Sequence, residues 1–187
     1  ELYQKLCVKS LHGQNKDAFA KAQKGNWRYD IVEPGYKCNM TDLVAAIGLV
    51  ELQRYEKDTL VKRKTICDNY TKAFEGKPWA QLPVFKDGWR QSCYHLFPLR
   101  IKGITEDIRD KIIKDIFEQE VSVNVHFIPV PMMSFYKSQG YSISNYPVAY
   151  DNYSRVITLP VFYDLTPEMQ KTVFAAVISA VEKNIGK

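Results

Sequence analysis

The sequence predicts an α+β fold: a small, mostly antiparallel sheet with helices on one face, preceded by one long helix. Three observations carry this. Val121 to Phe127 alternates apolar and polar residues, the period of a strand with one face on a core and one face polar. Ile108, Ile112, Ile113, Ile116 and Phe117 recur at helical spacing, as do Met169, Val173, Val177 and Val181 with Phe174 and Ile178. A third helical pattern is much longer. It starts near Met40–Asp42 and runs to about Phe74, through Leu43, Ile47, Val50, Leu52, Tyr55, Leu60, Ile66 and Tyr70.

In chain order, residues 1–12 read as the end of a helix followed by a short extended piece, with Leu2, Leu6, Val8 and Leu11 as apolar positions. His12-Gly13 opens a polar loop. Gln14 to Gly25, rich in Ala and Lys, suits a short helix. Trp27, Tyr29, Ile31 and Val32 form a partly alternating run, a strand or an extended arm.

Glu33 to Leu52 is the stretch on which the functional reading turns. A Pro-Gly turn leads through a short polar run into the long helix. If that run is extended, Lys37 and Asn39 leave it on the same side. Two readings stand. Asn39 caps the helix and Lys37 is a solvated lysine; or the ammonium and the amide cradle an anion, aided by the N–H groups and dipole of the first helical turn.

The helix exceeds twice the average length, so a break or bend is expected near Lys57–Thr59. Ala45, Ala46 and Gly48 keep one side thin enough for another helix to approach. Asp58 and Lys62 are spaced for an ion pair one turn apart. Gly76 and Pro78 end the helix.

Trp79 to Arg90 reads as a loop with an Asp87-Gly88 turn. Cys93 to Ile101 reads as a strand whose one face is Cys93, His95, Phe97, Leu99 and Ile101. Pro98 cannot donate to a ladder, which argues for an edge strand or a bulge. Thr105 caps the next helix. After the Val121–Phe127 strand come a Pro-interrupted loop at 128–133, a short aromatic helix within 134–141, and a helix from Tyr146 to Arg155. A short strand from Val156 is then ended by Pro160. Thr166 caps the last helix, with Pro167 in its first position and Glu168 in its first turn.

The bulk numbers exclude several classes. With 187 residues, 45% of them hydrophobic, the chain can bury a real core. No apolar run approaches the roughly 20 residues needed to span a membrane, and no signal segment opens the chain. The net charge of +5 is spread. The one tight basic cluster, Lys62-Arg63-Lys64, shares its helix with Glu51, Glu56 and Asp58, so no stripe suited to nucleic acid forms. Four cysteines and three histidines lack zinc-site spacing, and no metal site is expected. The cysteines read as reduced thiols in a cytoplasmic protein.

One stretch, GYKCNMTDLVAAIGLVELQRYEK, resembles the GY(N/K)x(R/N)MTDxxAAIGxxQL segment of the DegT/StrS family. These are pyridoxal 5'-phosphate (PLP) dependent aminotransferases acting on nucleotide-linked keto-sugars. LHG at 11–13, VNVHFIPVP at 123–131, YPVAYDNYSRVITLPVF at 146–162 and the terminal TPEMQ helix fall in the family's order. The resemblance spans essentially the whole chain but only the C-terminal half of a family member. The large cofactor domain, with its Schiff-base lysine, is expected upstream of Glu1.

The resemblance implies the small C-terminal domain of a fold-type I PLP-dependent transferase. Residues 1–50 would be the tail of the large domain and the start of an interdomain helix, and 51–187 the small α+β domain. It implies no catalytic residue in this chain. In the family, an Asn in GYN donates to the cofactor phosphate of the neighbouring subunit. Lys37 holds that position here, and Asn39 replaces the family's common Arg, so both are the cofactor-binding candidates. His126 matches the first His of an HYxPLH motif near the sugar-nucleotide pocket, with Pro131 at the second. Against that role stands a His hydrogen-bonded within the sheet. Arg28 and Tyr29, beside Trp27, are candidates for the nucleotide end, or simply part of an exposed aromatic connector. His12 and His95 read as structural.

The implied activity is transfer of an amino group, from an amino-acid donor such as glutamate, onto a nucleotide-linked keto-deoxy-sugar for surface polysaccharide or glycan synthesis. The implied unit is a homodimer with composite sites. A PLP-dependent sugar dehydratase of the same family is the nearest alternative, and a non-catalytic interaction domain the alternative from another class.

Overall fold

The computed structural model describes residues 1–15, 28–37 and 41–186. The short helix expected over 14–25, apart from its first two residues, and Trp27 lie outside these. Helix α1 is Leu2–Ser10, and α2 is Asp42–Arg54. A π-helical turn, Tyr55–Thr59, joins α2 to α3, Leu60–Phe74. The bend expected near Lys57–Thr59 is therefore a register change within one continuous helix.

The register change separates two environments. In α2 no residue is buried; Leu43 is 80% and Ile47 66% exposed. In α3 Ile66, Cys67, Tyr70 and Phe74 are buried. The π turn is held from outside by Tyr163, whose hydroxyl donates to Asp58 Oδ2 at 2.8 Å, while Arg54 donates to the same oxygen at 2.7 Å. Lys62 does not pair with Asp58 as its spacing suggests, because Arg54 and Tyr163 already occupy that carboxylate. Its ammonium lies 3.4 Å from the centroid of the Tyr163 ring, a cation–π contact.

The sheet has three antiparallel strands in the order β1-β2-β3: β1 Ala80–Gln81, β2 Phe97–Ile101 and β3 Val156–Leu159. Strand β1 lies in the stretch read as a loop; a two-residue strand carries no periodic signal. β2 is shorter than expected, and Cys93 and His95 ahead of it are exposed. It is also the central strand, not an edge. Pro98 is tolerated there for a specific reason. Thr158, opposite it, spends both backbone groups on Asn124, at 3.1 and 2.7 Å. Pro98 therefore faces the side of β1, and β1 reaches only Arg100 and Ile101.

Among the described residues, the expected strand at 121–127 pairs only through the Asn124–Thr158 bridge. Val121, Val123 and Val125 are buried as the alternation predicts, but Phe127 is 62% exposed. The His126–Phe127 peptide is cis.

Helix α4, Glu106–Phe117, is capped by Thr105, whose hydroxyl accepts from the Ile108 N–H. The short α5, Ser134–Ser138, and α6, Pro147–Arg155, precede β3. The last helix, α7, Pro167–Ile185, is capped by Thr166. Met169 leaves the expected apolar stripe of α7 and is 48% exposed; Gln170, Ala176 and Ala180 are buried instead. Gln170 fits because its amide donates to Leu165 O at 3.1 Å and accepts from Asn69 at 3.0 Å.

The core lies where α3, α4 and α7 meet the sheet. Phe97, Leu99, Ile101, Ile112, Ile116 and Val177 are essentially inaccessible, and each large apolar side chain buried there stabilises the fold by about 1.5–3 kcal/mol. One fully buried residue in it is charged. Arg109 donates to Tyr153 O at 2.6 Å and to Asp110 Oδ1 at 2.7 Å, with Glu106 at 3.5 Å. It ties α4 to the junction of α6 and β3. Among the described residues, no helix is long and apolar enough to cross a membrane.

Candidate functional site

Lys37 sits where two motifs meet. The chain after α1 runs against residues 30–37: His12 N–H donates to Tyr36 O at 3.1 Å, Tyr36 N–H to Lys9 O at 2.6 Å, and Val32 N–H to Gly13 O at 3.0 Å. The approach demands glycine on both sides. A Cβ on Gly13 would lie 1.7 Å from Glu33 O, and one on Gly35 would lie 2.3 Å from Gly13 N. A bridge between Leu11 and Lys37 continues the contact, and Lys9 pairs with Glu33 at 3.2 Å. Lys37 is exposed, and none of the ion pairs among the described residues involves it.

Asn39 lies outside the described residues. The helix is capped by Thr41, whose hydroxyl accepts from Val44 N–H at 3.5 Å. Thr41 immediately precedes the first helical position, where a hydroxyl reaches the orphan N–H groups of the first turn.

Arg28 and Tyr29 line a small cavity of about 370 Å3 with Asn15 and Asp30. Arg28 is anchored. It donates to Glu106 Oε1 at 3.3 Å, to Asp110 and to the Tyr153 hydroxyl at 3.4 Å. The Tyr153 hydroxyl donates in turn to Glu106 at 2.7 Å. Burial, followed by the Glu106 carboxylate, pushes that phenol up to about 12. Asp30 accepts from the Ser134 N–H at 2.9 Å and from the Ser134 hydroxyl, satisfying an N–H at the start of α5. Partial burial acts to raise the Asp30 carboxyl, but the Ser134 and Ile31 bonds outweigh it and hold it below the ordinary range.

His126 lines a cleft of about 790 Å3. Its floor is Pro98 and Arg100 of β2, on the side opposite Phe97 and Leu99; its walls are the 83–92 loop, the 126–130 loop and α6. His126 Nδ1 is buried without a hydrogen-bond partner, so the imidazole is not satisfied within the sheet. Burial, and then the proximity of His95, lower its pKa. It is therefore neutral at pH 7 and able both to donate and to accept.

Arg28 and Tyr29 line a different cavity from His126; Tyr153, which lines the His126 cleft, accepts a hydrogen bond from Arg28 through its hydroxyl. No hydrogen bond or ion pair among the described residues joins Lys37 to either. Sequence reasoning passed over Arg100, Asn152 and Arg109. Arg100 looks like any solvent-facing residue of an alternating strand, and Arg109 interrupts an isoleucine stripe where a charge is ordinarily assigned to water.

Comparison with known proteins gives a consistent family. A model of the DegT/DnrJ/EryC1/StrS aminotransferase family matches residues 1–178. The spore coat polysaccharide biosynthesis protein SpsC of Bacillus subtilis is 35% identical over 188 residues, covering 97% of this chain and 47% of SpsC. Among solved structures, Spr1654 of Streptococcus pneumoniae, classed as a sugar aminotransferase, superposes in its PMP form with a TM-score of 0.74. It is 38% identical over 98% of this chain and 46% of that one; its PLP form is also similar, with a TM-score of 0.74 and 35% identity, covering 98% of this chain and 44% of that one. Helicobacter pylori PseC, an aminotransferase in pseudoaminic acid biosynthesis, shares the fold at 20% identity with a TM-score of 0.66, covering 97% of this chain and 46% of that one. The chain spans about half the length of the relatives it matches.

Proposed function

The chain belongs to the DegT/DnrJ/EryC1/StrS aminotransferase family, and from that premise we propose that it forms the C-terminal half of a PLP-dependent enzyme aminating a nucleotide-linked keto-deoxy-sugar. In this reading residues 1–50 close the large cofactor domain and begin the interdomain helix, and 51–187 are the small domain. The exposed apolar side chains of α1 and α2, such as Leu2, Leu6, Leu43 and Ile47, support it. Exposed apolar side chains in this number are what another domain or a partner subunit covers.

Lys37 is the single observation that carries the cofactor assignment. Its amine is exposed, it has no carboxylate partner among the described residues, and its backbone is pinned by the Gly13–Gly35 approach. That donor suits a phosphate dianion, to which lysine binds as a point charge. Lys37, with Asn39 as a second donor, holds the anionic end of the cofactor of the partner subunit in a homodimer. When bound, the cofactor supplies the electron sink that lets an amino group move between two carbonyl carbons.

The remaining residues act on the substrate. Neutral His126, with Nδ1 unsatisfied, holds a sugar hydroxyl in place without carrying charge into the pocket. Tyr29 and Arg28 face the nucleotide end. No lysine of this chain matches the Schiff-base motif, so the reacting lysine belongs to the other half and this chain alone does not turn over. Glutamate is the proposed donor. A cytoplasmic location is part of the same proposal.

The test is direct. The longer protein containing this chain is assayed for glutamate-dependent amination of a nucleotide-linked keto-sugar, with the absorption band of bound PLP followed before and after borohydride. Amination with a borohydride-sensitive band is expected. A longer protein that binds no PLP, or turnover by the 187-residue chain alone, refutes the proposal.

A further inference from the structure

Asp30 joins two parts of the molecule that are far apart in sequence. One is the ribbon that ends at Lys37. Among the described residues its two runs, 9–14 and 31–37, share two bridges, Leu11–Lys37 and Gln14–Ile31. A two-stranded ribbon is marginal in water by itself, and no residue of the adjoining α1 is buried. The Gly13–Gly35 approach fixes the two runs against each other, but not against the rest of the fold.

The other part is α5. Its first residue, Ser134, donates to Asp30 twice, through the backbone N–H at 2.9 Å and through the hydroxyl. The next residue, Phe135, donates its N–H to Ile31 O at 3.0 Å. On the ribbon side, Asp30 Oδ1 accepts from the Ile31 N–H at 2.9 Å, and the Asp30 N–H donates to Asn15 Oδ1 at 3.1 Å. A carboxylate on the first N–H of a helix is what a local cap supplies; here it comes from the ribbon. Arg28 adds a tie to Glu106 and Asp110 of α4, but that tie ends before the ribbon begins. Ser134 also closes the loop that starts at His126. The 126–130 wall of the cleft runs through the Val130–Met132 turn and the buried Met133 into Ser134. The Asp30–Ser134 link therefore connects the His126 loop to the ribbon that presents Lys37.

We propose that Asp30 is a positioning residue for Lys37. It clamps one end of the ribbon to α5, so that the small domain sets where the Lys37 amine stands at the other end. The assignment rests on the reading of Lys37 as a cofactor-phosphate ligand and deepens it. Asp30 itself touches neither cofactor nor substrate in this role.

The experiment is hydrogen exchange on the longer protein containing this chain, kept free of PLP, with PLP retention measured separately. The reporters are the amides of His12, Val32 and Tyr36 in the ribbon, with α4 and α7 as core controls. Asp30→Ala raises ribbon exchange about 5-fold or more, as loss of a cap contact does, and leaves the core controls unchanged. Ser134→Ala, which removes only the hydroxyl, gives a smaller rise at the same amides. Asp30→Asn restores slow exchange, because its amide oxygen accepts from the Ser134 N–H and its NH2 donates to the hydroxyl. PLP retention follows the same order.

Ribbon exchange at the wild-type level in both Asp30→Ala and Ser134→Ala overturns the assignment. So does an Asp30→Asn variant as loose as Asp30→Ala. If Asp30→Ala loosens the core as well, Ser134→Ala decides: a rise confined to the ribbon supports the link, and an unchanged ribbon overturns it. The parent reading fails separately. If Lys37→Ala retains PLP fully, that reading falls and this one with it. If Lys37→Ala loses PLP while Asp30→Ala keeps both retention and ribbon exchange, only the role of Asp30 is removed.

Discussion

Gly35 stands against Gly13 so closely that a side-chain carbon on Gly35 would lie 2.3 Å from the Gly13 nitrogen. Lys37 is two residues further on, bridged to Leu11. Gly35→Ala therefore shifts the strand that carries Lys37, and in the longer protein it is expected to weaken PLP retention as much as Lys37→Ala does. Loss of one charged contact to phosphate corresponds to about 1.5–3 kcal/mol. Dialysis followed by absorbance of the retained cofactor measures it. Retention unchanged in both variants would remove Lys37 from the cofactor site.

Arg109 governs stability. Arg109→Ala strands the α6–β3 carbonyls and takes one of two guanidinium partners from Glu106 and Asp110, which keep Arg28. Removing one partner of a buried charged network costs about 3–5 kcal/mol. Urea unfolding followed by circular dichroism is expected to show a lower midpoint with an unchanged slope. An unchanged midpoint would mean that the network contributes nothing.

His126 sets a pH dependence. Its folded pKa lies below the ordinary 6.5 because of burial, reinforced by His95. The unfolded chain then binds the proton more readily than the folded one, so stability falls as pH drops below 6.5 and levels off once the folded pKa is passed. Histidine side-chain NMR should place the His126 midpoint below the ordinary 6.5. A midpoint at or above 6.5 would show a solvated imidazole.

Tyr163→Phe removes one donor to Asp58 and keeps the Arg54 contact. Arg54 is the larger cause of the depressed Asp58 carboxyl and Tyr163 the second, so the variant's Asp58 titrates closer to the ordinary value without reaching it. Carboxyl carbon NMR reads this. Hydrogen exchange at 55–59 should also rise, because the π turn loses its outside tie.

The apolar surface of α2 makes a last prediction. The chain alone is expected to self-associate as concentration rises, and Leu43→Glu with Ile47→Glu to suppress this while changing stability by no more than about 0.5 kcal/mol per site, as for surface positions. Light scattering across a concentration series decides it. A wild-type chain that stays monomeric throughout would argue that nothing normally covers this face.

Periodicity and caps made much of the fold legible. The isoleucines of α4, the valines of α7, the Thr105 and Thr166 caps and the bend within the long helix all follow from local rules, because helix spacing and capping are satisfied within a few residues. The short strands were less legible. β1 has two residues, and the 121–127 run pairs at a single bridge, so its alternation reports burial rather than ladder formation. Pro98 looked like an edge residue because sequence records its missing N–H and not how far the neighbouring strand extends.

By itself the sequence determined the family, through linear motifs such as GYKCNMTDLVAAIG, and the helical half of the core. Tertiary structure alone decided that Gly13 and Gly35 must touch, that Arg109 is buried, that Arg28 is tied to Glu106 and Asp110, and that Arg100 faces a cleft with no acid among its described lining residues. The reason is physical. A helix face is specified by residues three and four apart, whereas the environment of a charge is set by groups brought from distant parts of the chain, and that environment decides whether an arginine holds the fold or waits for a ligand.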